Sequence, residues 1–136
     1  MGISEPDEKE VARSRLKALS ERAAHLRAGE HFEEAETALV EALAVAEHCL
    51  GPRSAEAAGC IDQLVALLEA TGRLAEAVHH SERSLTIRRQ ISRPGDPAMA
   101  TALHNLALLY EATSRADEAR ALWAEAGAVL DPKEIP

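Results

Sequence analysis

The chain carries one Phe, one Trp and one Tyr among 136 residues. With so few aromatics, and with Val, Ile and Thr sparse, a β-sheet has little to be built from. Cysteine is almost missing as well. Cys49 and Cys60 are the only two, far short of a disulfide scaffold, so a reducing cytoplasm is the expected setting. They lack a CxxC spacing and read as small interior residues rather than metal ligands. No apolar run approaches a membrane span, which argues against direct membrane insertion. Met1–Glu10 is acidic with no apolar stretch, so no secretory leader is expected, and Pro6 stands where a myristoylation motif wants Ser or Thr. Positive charge is also short: 15 Lys and Arg face 23 Asp and Glu, a net charge of −8. Such a chain gains little from releasing counterions off a phosphate backbone or an anionic bilayer, so neither nucleic acid nor a membrane surface is an expected partner.

What is abundant is alanine, about one residue in five. Alanine loses no side-chain entropy on entering a helix, and the chain therefore reads as all-α. Its length fits one domain with a real core.

Internal similarity organises that domain. Glu69–Ala77 reads Glu-Ala-Thr-Gly-Arg-Leu-Ala-Glu-Ala, and Glu111–Ala119 reads Glu-Ala-Thr-Ser-Arg-Ala-Asp-Glu-Ala, 42 positions later. One more step back lands on Arg27–Ala35, which keeps the closing Glu34-Ala35. Leu43 and Leu85 share a column, as do Leu64 with Leu106 and Leu68 with Tyr110. Within each unit two stripes follow the i, i+3, i+4, i+7 rule, such as Leu103, Leu106, Ala107 and Tyr110. Gly72 and Thr113-Ser114-Arg115 mark turns between paired helices. Gly51-Pro52 reads as a left-handed cap followed by a stop, Pro94-Gly95 as a loop, and Asp96-Pro97 as an N-cap with proline in the first turn. Helices are expected near 6–28, 34–50, 55–70, 75–91, 97–112 and 117–130. They group into units of about 6–50, 55–91 and 97–130 with a short tail, 131–136, in a single domain 1–136.

These residues resemble tetratricopeptide repeats. Ala35, Ala77 and Ala119 match the near-constant alanine that opens the second helix of that family's repeat, and Ala42, Ser84 and Ala126 match its later small column. The family spacing is about 34 residues, so these units are longer and are similar to those of kinesin light chains. The stretch from Ser84 through Pro94-Gly95-Asp96-Pro97 to Tyr110 is close to that subfamily's pattern. The resemblance covers about residues 19–130. It implies a right-handed superhelix of three antiparallel helix pairs and a non-catalytic scaffold or adaptor. It also points to the bacterial kinesin-light-chain-like proteins that accompany bacterial tubulins, hence a cytoskeletal filament as an alternative partner.

In a stack of helix pairs the first helices line a concave face. The candidate binding positions there are Thr101, His104, Asn105 and Leu108 in the third unit and Asp62, Gln63 and Ala66 in the second. The resemblance implies that an asparagine in the Asn105 column holds the backbone of an extended peptide. An amide can do so because it offers donors and an acceptor together. Gln63 keeps that chemistry on a longer arm, whereas Glu21 departs from it. The family's chaperone-type carboxylate clamp needs Lys, Arg and Asn in these columns, and Gly59, Gln63 and Thr101 replace much of it. A basic cluster, His79, His80, Arg83, Arg88, Arg89 and Arg93, is read as a solvated helix face with arginines paired to Glu76 or Glu82, the alternative being a surface for a partner's carboxylates.

The two ends of the stack differ. At the front, Arg22 replaces the leucine of the Leu64 and Leu106 column. At the back, Gly127 replaces Leu43 and Leu85, Val129 and Leu130 remain, and the tail is too short for a capping helix. Either the last helix is polar enough to stand alone, or its face docks on another chain, as a homo-oligomer or with a partner, through the C-terminal helix. No nucleophile motif, phosphate-cradling glycine loop or metal-spaced ligand set is present, and the six histidines lack i, i+4 partners. Tyr110 and Trp123 sit on core stripes. The expectation is no enzyme, no cofactor and no metal, with a protein or peptide as partner.

Overall fold

The computed structural model describes residues 7–130, all helices and short turns. The expected helix start at position 6 and the tail 131–136 lie outside the described residues, as does the side chain of Leu130. The helices are α1 (Glu8–Ala28), α2 (Phe32–Val45), α3 (Ala55–Ala70), α4 (Leu74–Ile91), α5 (Pro97–Ala112) and α6 (Ala116–Leu130). The expected ranges agree closely except at the end of α2, where Ala46–Leu50 widens into a π-helix.

Starts and stops follow local chemistry. Ser54 caps α3 by accepting from the Ala57 N–H at 3.1 Å, and Asp96 caps α5 by accepting from the Ala98 N–H at 2.9 Å, with Pro97 in the first turn. Gly51 ends the π turn at φ 109°, ψ 146°. That is not the left-handed cap expected from sequence but an extended positive-φ conformation open essentially to glycine alone. The turns inside the pairs repeat one design. Glu30, Gly72 and Ser114, spaced like the repeat, have φ of 61°, 75° and 64°. The next residue in each case donates to a carbonyl five positions back in the helix: His31 N to Leu26 O at 2.8 Å, Arg73 N to Leu68 O at 2.9 Å and Arg115 N to Tyr110 O at 2.7 Å. Together with the shorter bonds from Glu30, Gly72 and Ser114 themselves, these are Schellman turns. His31, Arg73 and Arg115 then accept from Ala35, Ala77 and Ala119, so each stop is also the next start.

Those alanines are the crossing points. Ala35 and Ala77 are fully buried and Ala119 nearly so, as are Ala42 and Ser84. Any larger side chain there would push the paired helices apart. Within pairs α1 packs on α2, α3 on α4 and α5 on α6; between pairs α3 sits on α2 and α5 on α4. Ile61, Leu64, Leu67, Leu68, Leu103 and Leu106 form the middle of the core.

Two columns reveal direction. Leu64 and Leu106 are buried while Arg22 is exposed, so in the second and third pairs that column faces the preceding pair. Leu43 and Leu85 are buried while Gly127 is exposed, so that column faces the following pair. Among the described residues, the first pair thus presents Arg22 in one column and the last pair presents Gly127 in the other.

Three arginines of the basic cluster are paired. Its arginines reach not to Glu76 or Glu82 on their own helix but to other helices: Arg83 to Glu47 at 3.2 Å, Arg88 to Asp62 at 2.6 Å, and Arg89 to Glu125. A long side chain bridging neighbouring helices is favoured over an i, i+4 contact where an acceptor stands directly opposite. His80 lies beside them with its Nδ1 buried and unpartnered among the described residues. Burial, with His79 and Arg83 adding repulsion against the opposing pull of Glu76 and Glu36, lowers its pKa.

Candidate functional site

The concave face contains two adjoining hollows. One, of about 470 Å³, is walled by Asp62, Ala66 and Glu69 of α3, Ser81 and Ser84 of α4, and Ala102 and Asn105 of α5. The other, of about 680 Å³, lies between α1 and α3 and is lined by Ser20, Ala24, Leu39, Gln63 and Leu67 among others. Arg27, Asp62 and Ala66 border both, so the two form one trough across the first helices. Alanines at its floor keep it open because they carry nothing beyond Cβ.

Asp62 is anchored in the wall. Ser84 Oγ donates to its Oδ1 at 2.5 Å and an Arg88 Nη donates to its Oδ2 at 2.6 Å. The Arg88 side chain is only 15% exposed, so its charge needs this carboxylate. Asn105 and Gln63 are exposed on the face, with amides free to rotate toward an incoming backbone. Glu69 has its pKa raised by burial in the trough, opposed by Arg27.

Not every expected residue joins this trough. Thr101 and His104 line a separate recess of about 370 Å³ at the back of the stack, with Ala100, Trp123, Ala126 and Gly127. There His104 packs edge-on against Trp123, ring centroids 4.6 Å apart. Thr101 Oγ1 donates to the Pro97 carbonyl at 3.0 Å. Leu108 is 47% exposed on α5 and borders neither hollow of the trough. Conversely, Arg27, Glu69 and Ser81 belong to the trough although the pattern of groove columns did not nominate them. Ser81 comes from a second helix, and Arg27 and Glu69 lie in the last turn of theirs.

Elsewhere the polar chemistry is structural. Tyr110 Oη donates to Glu82 at 2.8 Å, with Arg115 over its ring at 4.1 Å. Burial, then Glu82, pushes the phenol up to about 12. Burial also raises the Cys60 thiol, helped by Glu56. Cys49 is half-buried and both thiols are free. Among the described residues no three of His, Cys, Asp and Glu gather as a metal site, and no helix is long and apolar enough to cross a membrane.

Similar structures share this architecture. A kinesin-light-chain-type protein of Podospora anserina with nearly identical TPR-like repeats superposes with a TM-score of 0.74 at 24% identity, over 90% of this chain and 58% of the other. BtubC (BKLC) from P. vanneervenii gives a TM-score of 0.80 at 25% identity, over 89% of this chain and 49% of its own length. The TPR domain of Arabidopsis FLU gives 0.70 at 22% identity, over 93% and 100%. This chain thus spans about half the length of the first two. No curated protein matches it. The fold is the right-handed superhelix of three antiparallel helix pairs seen in these relatives, a fold that supports protein–protein interaction. The tetratricopeptide repeat model matches residues 57–126, more than half of the sequence, and on that match and this architecture the chain belongs to the tetratricopeptide-repeat family.

Proposed function

We propose that the protein is a non-catalytic adaptor that holds an extended segment of a partner protein in the concave trough. The observation that carries this reading is the placement of Asn105, Asp62 and Ala66 on one hollow that continues into a second bordered by Gln63. Two amides then stand along one path, each able to donate to and accept from a peptide backbone. Small alanines beneath leave room for the segment's side chains. Asp62 holds the wall through Arg88 and Ser84 and shapes the trough. The test is a peptide selected from a displayed library and titrated against the wild type and variants. Asn105→Ala and Gln63→Ala should each weaken it about tenfold, a loss of about 1.4 kcal/mol. Equal affinity in all three proteins would exclude the trough.

A second reading is an accessory chain along a filament such as a bacterial microtubule, bound through edges and loops. Its support is the likeness to BtubC (BKLC) and the long repeat. Arg53 and Arg93, exposed in the inter-pair loops, would then matter more than Asn105. Co-sedimentation with the polymer that is lost in Arg93→Glu and kept in Asn105→Ala would favour it.

A further inference from the structure

Two charged groups border the trough without a partner in the chain. Arg27 and Glu69 each open the recurring tract, so they occupy one column of the repeat and stand on successive first helices, α1 and α3. The column therefore changes sign from the first pair to the second. Both residues line the hollow that Asn105 also lines. Among the described residues neither side chain enters an ion pair. They lie near enough to act on one another, since Arg27 opposes the upward shift of Glu69. The neighbouring carboxylates are engaged: Asp62 by Ser84 and Arg88, and Glu111, next in the column, by the indole N–H of Trp123 at 3.0 Å.

Resting on the adaptor reading, we propose that the trough selects a segment carrying one acidic and one basic side chain in a fixed order, the acid against Arg27 on α1 and the base against Glu69 on α3. A segment laid along the trough takes water away from both groups, and a charge left dry without a counter-charge is costly. Neutral side chains leave both costs standing. A segment with its charges in the opposite order sets like against like, which is worse. Asp62 does not compete for the base, because both its oxygens are already bonded. What the trough reads is therefore the order of the two signs, and the segment's net charge is secondary.

The experiment is selection from a random peptide library displayed on phage, followed by titration of the synthetic winners. The wild type should return segments with an acid and a base in one recurring order. The exchanged protein, Arg27→Glu with Glu69→Arg, is altered only at exposed positions and keeps the net charge, so its circular dichroism should be unchanged. It should return the reverse order and bind the wild-type winner about tenfold or more weakly. Glu69→Gln should drop the preference for the base and keep that for the acid, and Arg27→Gln the converse, each weakening the winner by about threefold to fivefold. Winners without a charge pattern overturn the inference; they are the result expected if Arg27 and Glu69 close on each other beneath the segment. A folded exchanged protein that returns the original order, or no segment at all, overturns it too. Where such winners still weaken in Asn105→Ala and Gln63→Ala, the trough remains the binding site and only the charge order fails. A library that yields no peptide sensitive to those two amides removes the trough reading and this inference together.

Discussion

Tyr110 is the only tyrosine, so its ionisation can be followed by ultraviolet absorbance without interference. Burial and its bond to Glu82 raise it from the ordinary 10.0 to about 12. The folded protein then keeps a proton that the unfolded chain has already lost, so stability is fully present below pH 10 and falls as the pH climbs toward 12. The absorbance midpoint should lie well above the ordinary value. Tyr110→Phe should flatten the alkaline loss of stability and cost about 1 kcal/mol near neutrality, as read by urea unfolding. At the turns, Glu30 and Ser114 hold positive φ without being glycine. Ser114→Gly should raise stability by about 0.5–1 kcal/mol, and Gly72→Ala should lower it by a similar amount, both read as shifts in the urea midpoint. Sequence marks Gly72 by its residue type, but Glu30 is found only by stepping along the repeat, since nothing in a glutamate announces a left-handed backbone. For the same reason Gly51 was recognisable as a stop while its actual conformation was not.

At the scale of an element, the crossing alanines set how close two helices come. Ala77→Leu should open the second pair and cost about 1–3 kcal/mol or more, visible as a lower thermal midpoint with a retained helical spectrum. Asp96→Ala removes the bond to the Ala98 N–H and should cost about 1 kcal/mol. The starts of α4 and α6 carry a different device. Arg73 holds Glu76, and Arg115 holds Glu118, below their ordinary value of 4.5. Both carboxylates are exposed, so each pair contributes little. What they contribute is present above pH 4.5 and lost as the pH falls through the lowered values. A shallow, salt-sensitive decline of thermal midpoint in acid is the expected trace. Helices were legible in the sequence because alanine content, stripe spacing and caps all agree on their limits. The π turn at Ala46–Leu50 was not, because no residue type in it marks a widened turn. The arginine pairings were missed on similar grounds: Arg88 and Asp62 lie on different helices, and no periodicity within one helix relates them.

Across the whole molecule, repetition carried most of the information. Equal columns gave the stack, its concave face and its unlike ends, and they placed Asp62, Gln63, Ala66 and Asn105 along one trough. The same columns could not separate the trough from the back recess. Thr101 and His104 occupy groove columns yet line a recess shared with Trp123, Ala126 and Gly127 of α6. Among the described residues each pair packs chiefly on its immediate neighbours. Tension applied to the two ends would therefore load one junction at a time, and the chain should lengthen in separate steps instead of snapping open at once. A stack built this way behaves as a short spring, soft in bending and able to match its curvature to whatever it grips.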